Sequence, residues 1–457
     1  MSSKLHQSRR DVVRGLSMLG AIAAGFPAFP AFARDSDDYK ALVCVLLQGG
    51  LDNFDSIIPV DPQGYSAWAS YRTTMLEQYR QTSGTTRERD SLLPLTGSAN
   101  NHAFAPELAP LADLYTKGRM AVVANVGPLV GPVTRHGLEA DKRLQPPRLA
   151  SHSDQFAMWS TLNLEGANVG WGGEFLDRLE NTSSFASISF AGVQAFGQGR
   201  DVDQVAFNGA RITSVPGLNP TPGRAPSRRE ELLGEHFRRR GVRYEDVLTR
   251  DVARAQTRAL EQAVFLRALI HQNPVGNAVK IEDNSLSQQL AAVASMISER
   301  DVHRTKRQVF VVSLGGFDTH RNEARILPDK QRQVAEALAR FDAVLEKRGD
   351  GDKVTTFTVS DFGRTLAANA SGTDHGWGGH HFVIGGAVKG GRVVGELPPP
   401  TLDHDQAWAR RGGLIPTIAI EQYGASLGQW FGVPDSEMGT VFPNLHRFDA
   451  GGVDIFP

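Results

Sequence analysis

Three strand-like runs, the unbroken apolar Ala41–Leu47, the largely apolar Val309–Leu314 and the β-branched Val354–Val359, each pass directly into a short glycine-containing turn that carries an aspartate. The turns read Gln48-Gly49-Gly50-Leu51-Asp52-Asn53, Gly315-Gly316-Phe317-Asp318-Thr319-His320 and Ser360-Asp361-Phe362-Gly363-Arg364. Runs without polar alternation suit strands covered on both faces, as in a parallel sheet packed between helices. Arg119–Gly127 reads as a further core strand. Helical periodicity fills the spaces between, at Pro106–Lys117, Leu286–Ser298 and Lys330–Lys347, the last with Val334, Leu338, Phe341 and Leu345 on one face. The alternation predicts an α/β fold, a three-layer α/β/α sandwich with a mostly parallel central sheet. Ligands of such sheets gather at the carboxyl ends of the strands, so neighbouring runs would bring Asp52, Asp318 and Asp361 together.

The last run feeds a glycine-rich loop with Asp374, His375, His380 and His381, followed by a second apolar run, Phe382–Ile384. The bland reading of this loop is a turn whose polar groups cap nearby helices. The functional reading is a mixed oxygen and nitrogen ligand set: Asp52, Asp318, His320, Asp361, Asp374, His375 and His380. Such a set suits zinc or manganese, as one or two divalent ions. Thiolate sites are excluded, because the one cysteine, Cys44, lies inside an apolar run.

Ser151 or Ser153 caps a helix that begins near His152, where free backbone N–H groups favour an anion. Ser151 is therefore both a cap and a candidate nucleophile. Arg364 and Asn53 are candidates to hold ester oxygens, Arg364 through a charge-assisted fork. Their bland alternatives are a surface ion pair and a turn residue. Gly385–Gly391 lacks the spacing of a nucleotide phosphate loop and reads as a tight turn.

At the amino terminus, Ser8-Arg9-Arg10-Asp11-Val12-Val13-Arg14 precedes an apolar stretch, Gly15–Phe29, and small residues at Ala31-Phe32-Ala33. This resembles a twin-arginine export signal, and residues 1–33 are set apart from the fold on that basis. An uncleaved anchor is the alternative. The expected location is periplasmic or secreted, with no stable membrane span after cleavage. Residues 34–457 would form one domain, with an insertion around 196–300 whose residues 229–271 are largely helical. Basic and acidic side chains nearly cancel, at 49 against 50, and no polybasic stretch interleaves with aromatics, which argues against nucleic acid as a partner.

The twin-arginine start, the turns at Asp52, Asp318 and Asp361, the Ser151-His152 segment followed by Trp159, the motif Gly372-Thr373-Asp374-His375-Gly376-Trp377-Gly378-Gly379-His380-His381 and the closing Trp430-Phe431-Gly432 resemble the bacterial domain-of-unknown-function family 1501. That family is similar in fold to the alkaline phosphatase and sulfatase superfamily of metal-dependent ester hydrolases. The resemblance implies an alkaline phosphatase-like fold, with Asp52 matching the first metal aspartate, Ser151 the nucleophile, Asp318 and His320 a later Asp and His pair, and Asp361 the acid of a Ser-Asp-His-Gly turn. Phe362 departs from this pattern where a metal-binding histidine is expected, which would leave an ion missing or borrowing His375 or His380. No Cys or Ser begins the C/S-x-P-x-R pattern of formylglycine sulfatases. The leading expectation is an exported metal-dependent hydrolase of phosphate or related sulfate esters, acting on a small molecule or glycan. The alternative is an exported non-catalytic binding or assembly protein with a protein partner.

Overall fold

The computed structural model describes residues 38–457 except 83, 165, 180–182, 211, 213–224, 226, 233–234, 236–245, 272, 409–410 and 450; the segment 1–33 read as an export signal lies outside the described residues. The chain divides into two compact units, residues 39–211 with 272–457, and residues 1–38 with 212–271. The described part of the smaller unit contains a 24-residue helix, Val247–Ile270, capped by Asp246, whose carboxylate accepts from Thr249 N.

The larger unit is built on one nine-stranded sheet. Its strands are β1 Lys40–Gln48, β2 Met120–Gly127, β3 Ser187–Ser189, β4 Gln204–Ala206, β5 Arg307–Gly315, β6 Val354–Ser360, β7 Gly379–Ile384, β8 Arg392–Val394 and β9 Ile418–Ala419. They lie in the order β8-β2-β7-β6-β1-β5-β3-β4, with β9 paired to β2. All pairings are parallel except the two made by β7, which runs antiparallel to β2 and β6. The three expected neighbours are therefore adjacent, with β1 in register between β5 and β6.

Alternation along β1 sends Leu42, Cys44 and Leu46 to one face, where they pack with Trp159, Trp171, Phe175 and Tyr423. These partners come from α1 His152–Thr161, α2 Trp171–Asp177 and α5 Ile420–Phe431. Helix α3, Ser285–Ser298, packs on β5, and α4, Glu323–Arg348, packs on α3. Helix α4 begins seven residues before the helical segment read from sequence, because it admits Pro328. Proline normally breaks a helix interior; here it is the sixth residue, and what its missing N–H forfeits is one bond to a carbonyl of the first turn.

Two other segments differ from expectation. Gln204–Ala206, inside the region read as a surface insertion, is an edge strand of the sheet. His380 and His381 lie on β7 itself and not on the preceding loop. Both are buried on opposite faces of a strand, as period-2 alternation requires. Among the described residues, no helix is long and apolar enough to cross a membrane.

Candidate metal centre

The turns after β1, β5 and β6 meet because glycine lets their backbones touch. Gly49 sits at φ 116°, and a Cβ there would fall 2.3 Å from Asp318 N. Gly50, at φ 90°, has no room for a Cβ beside the Phe362 ring. Only glycine takes such angles without strain. Ser360 Oγ donates to Leu47 O and accepts from Leu51 N, which stitches the ends of β1 and β6 together. The loop from β6 to β7 then folds back on itself through Gly376 N to Gly363 O, 2.8 Å, and Thr365 N to Asp374 O, 3.1 Å. That fold-back delivers Asp374 and His375 over the strand ends.

The result is a cluster around Asp318. His375 Nε2 and His320 Nε2 each lie 3.0 Å from Asp318 Oδ1 and 2.8 Å from each other. His152 Nε2 lies 3.5 Å from Asp318 Oδ2. His152, Asp318 and His375 place one ligand atom each within 4.8 Å of one another. Asp361 Oδ2 stands 2.6 Å from His152 Nδ1 and also accepts from Gly49 N. Asp374 Oδ1 stands 3.4 Å from His320 Nδ1. Phe362 forms the floor, its ring centroid 4.7 Å from that of His152 and 4.4 Å from that of His375.

The hydrogen-bond partners assign the tautomers. A carbonyl only accepts, so His375 Nδ1, 2.9 Å from Ala150 O, carries a proton and its Nε2 presents a lone pair in the neutral ring. Asp361 likewise takes the Nδ1 proton of His152 and leaves the Nε2 lone pair facing Asp318. Two lone pairs aimed at one carboxylate repel unless a cation or a shared proton lies between them. An imidazole whose outer nitrogen donates to a carboxylate or carbonyl is the usual support of a metal-ligating histidine. The donor set therefore fits a divalent ion that takes nitrogen and oxygen ligands.

Burial alone would raise Asp318, but the Arg364 guanidinium holds it below the ordinary carboxylate range. The bond to Asp361 raises His152, while burial lowers His375.

Other residues singled out in the sequence are placed as follows. Asp52 does not enter the cluster: its carboxylate accepts from Phe54 N and Asp55 N and forms a buried ion pair with Arg72 at 2.5 Å. His380 is buried with Nδ1 accepting from Asn125 N at 3.0 Å, apart from the His152, Asp318 and His375 group. Asn53 Oδ1 accepts from Arg364 N and so braces the turn. Arg364 is wholly buried, and its guanidinium is committed to Thr373, Gly49 O and Asp318. Ser151 caps α1 and donates to Asp154 Oδ2 at 2.8 Å. The residue that sequence reasoning missed is His152. Its signal was position, directly after a capping serine that was itself singled out.

Fold and site define a class: a mixed α/β protein whose parallel strands carry an imidazole and carboxylate cluster, fit for a divalent metal, at their carboxyl ends. Residues 39–410 match the family described as "Protein of unknown function (DUF1501)", and the chain belongs to that family. No curated protein matches it. Among solved structures, the PsFucS1 sulfatase from Pseudoalteromonas sp. is similar at TM-score 0.36 and 8% identity, over 94% of this chain and 73% of that one. The soluble domain of lipooligosaccharide phosphoethanolamine transferase A from Neisseria meningitidis is similar at TM-score 0.30 and 10% identity, over 77% and 78%. The lipoteichoic acid synthase LtaP from Listeria monocytogenes is similar at TM-score 0.32 and 8% identity, over 92% and 78%. Likenesses of this size say nothing about chemistry.

Proposed function

We propose that the protein is an exported metal-dependent hydrolase of phosphate or related sulfate esters, with its cation held by His152, Asp318 and His375 and with His320 beside them. The observation that carries this reading is the pair of Nε2 lone pairs, each fixed by a committed Nδ1, that converge on the Asp318 carboxylate. The motif resemblance to the alkaline phosphatase and sulfatase superfamily supports the ester class, and the paired arginines Arg9-Arg10 support export.

A divalent ion bound there supplies Lewis acidity to an ester oxygen and eases deprotonation of a nucleophile. The chain's own residues orient and move protons. Asp361 and Ala150 O hold the two imidazoles, and Arg364 fixes Asp318. Ser151, next to His152 at the helix start, is the candidate nucleophile: its Oγ would bond to the phosphorus or sulfur centre as the ester oxygen leaves with a proton from solvent, and water would then displace Oγ to release the anion and restore the serine. Asp154 Oδ2 is placed to take the Ser151 proton.

The test is a panel of chromogenic phosphomonoesters, phosphodiesters and sulfate esters with added zinc or manganese. Metal-dependent turnover that is abolished in Asp318→Ala and reduced in Ser151→Gly supports the reading, since glycine largely preserves the cap. No turnover of any ester by metal-loaded protein rejects it.

A second reading, a non-catalytic exported binding or assembly protein, draws on two observations. Arg364 has no donor turned toward a substrate, and Phe362 occupies a place where a further ligand would stand.

A further inference from the structure

An ester hydrolase needs cationic donors for the oxygens that do not leave, and Arg364 is spent on the protein itself. Two other arginines flank the cluster. Arg148 touches Asp154 by a single contact, Nη1 to Oδ1 at 3.2 Å, with its side chain 63% exposed. Asp154 in turn accepts from Ser151, and Ala150, two residues after Arg148, supplies the carbonyl that fixes His375. Arg411 lies 3.5 Å from Asp374, with its side chain 56% exposed, and Asp374 contacts His320.

The backbone gives an independent pointer. Arg148 is at φ 53° and Arg411 at φ 45°, in the left-handed region where a residue with a Cβ is strained. Ala150, two residues after Arg148, is at φ 65°. Hydrogen bonds hold the strained segment at Arg411 in place, Ala367 N to Arg411 O at 3.0 Å and Arg411 Nη1 to Ala368 O at 3.2 Å. Glycine would satisfy both positions at lower conformational cost, so arginine there trades stability for a side chain. Strain of this kind gathers where a side chain must be aimed.

We infer that Arg148 and Arg411 form an anion clamp over the metal centre, which binds the tetrahedral oxyanion of the ester, phosphoryl or sulfuryl, through exposed guanidinium forks. The inference deepens the hydrolase reading and rests on it for its substrate. Arg148 can leave its single carboxylate contact, and Arg411 its contacts with Asp374 and Ala368 O, to take two oxygens of the ligand. The metal ligands stay where Asp361, Ala150 O and Arg364 hold them.

Calorimetric titration of the full-length, metal-loaded protein with inorganic phosphate and, separately, inorganic sulfate tests the clamp. Arg148→Gly and Arg411→Gly should each weaken anion binding about tenfold, the scale of one lost charge-assisted interaction. Metal content should be unchanged and the Tm equal or higher, because glycine relieves the positive φ. Arg411→Lys should recover part of the affinity. The anion that binds more tightly names the ester. Wild-type protein that binds neither anion, or glycine variants with wild-type affinity, would overturn the clamp. An absence of ester turnover with anion binding intact would instead reject the hydrolase reading and leave the clamp standing.

Discussion

His152 Nδ1 donates to Asp361 Oδ2 across 2.6 Å, and that bond joins the start of α1 to the end of β6 over 209 residues of sequence. Asp361 is thereby a positioning residue for His152, whose Nε2 faces Asp318. Asp361→Asn keeps the shape but no longer favours the Nδ1–H tautomer. Zinc affinity measured by competition with a chromophoric chelator should fall 10- to 100-fold, the usual cost of losing such a support. An unchanged affinity would show that Asp361 does not orient the ring.

The Asp52 and Arg72 pair is a stability element and not part of the cluster. Both side chains are almost fully buried, and burial drives the nearby Glu323 well above the ordinary carboxylate range, which leaves it neutral beside Asp52. Asp52→Ala strands a buried guanidinium and should cost about 3–5 kcal/mol in urea unfolding. The folded fraction should still bind metal stoichiometrically. Loss of metal without loss of stability would return Asp52 to the ligand set.

The long core strands were legible because their apolar and β-branched runs suit a buried parallel sheet, and Asp318 and Asp361 followed from their place at the strand ends; the strand order and the antiparallel course of β7 were not read, since both are set by tertiary packing. Asp52 occupies the same kind of position, yet the chain enters a four-residue helix, Asn53–Ser56, that takes its carboxylate as a cap, while Arg72 arrives from twenty residues on. Nothing local announces that partner. His380 and His381 read as loop residues, since glycine surrounds them, but Gly379 already pairs with Val126 and starts the strand. His152 becomes a ligand candidate only once the start of α1 is known to rest against β6, which is a tertiary fact.

Acid should destabilise the fold through β7. Burial pushes His380 and His381 down to about 3 each, so both stay neutral in the folded protein while the unfolded chain takes up protons near 6.5. Their stabilising effect is therefore complete above pH 6.5 and is lost as pH falls toward 3. At pH 5 each site should cost about 2 kcal/mol relative to neutral pH. His152, raised by Asp361, works in the opposite sense, with stability lost as pH rises through its folded value. His381 packs between Trp159 and Tyr423, so His381→Phe should fit. With chelator present, urea midpoints at pH 5 and 7.5 should lie closer together in this variant than in the wild type. Equal pH dependence in both proteins would contradict the assignment.

Gly49 holds the turns in contact. Gly49→Ala combines positive-φ strain with a Cβ 2.3 Å from Asp318 N, whereas Gly118→Ala, at φ 73°, meets nothing within 4 Å. The first should cost more than the roughly 1 kcal/mol of strain expected for the second and should also lower metal affinity, because it displaces Asp318. Equal effects in thermal unfolding and metal titration would mean that the close approach is unimportant.

Metal content by mass spectrometry of protein purified without chelator, then equilibrated with zinc or manganese and desalted, tests the central claim most directly. Wild-type protein should retain close to one or two divalent ions per chain, and His152→Ala, Asp318→Ala and His375→Ala should each lose them while staying folded. Folded wild-type protein that holds no divalent ion, or variants that retain the wild-type amount, would contradict a metal centre built on these three side chains.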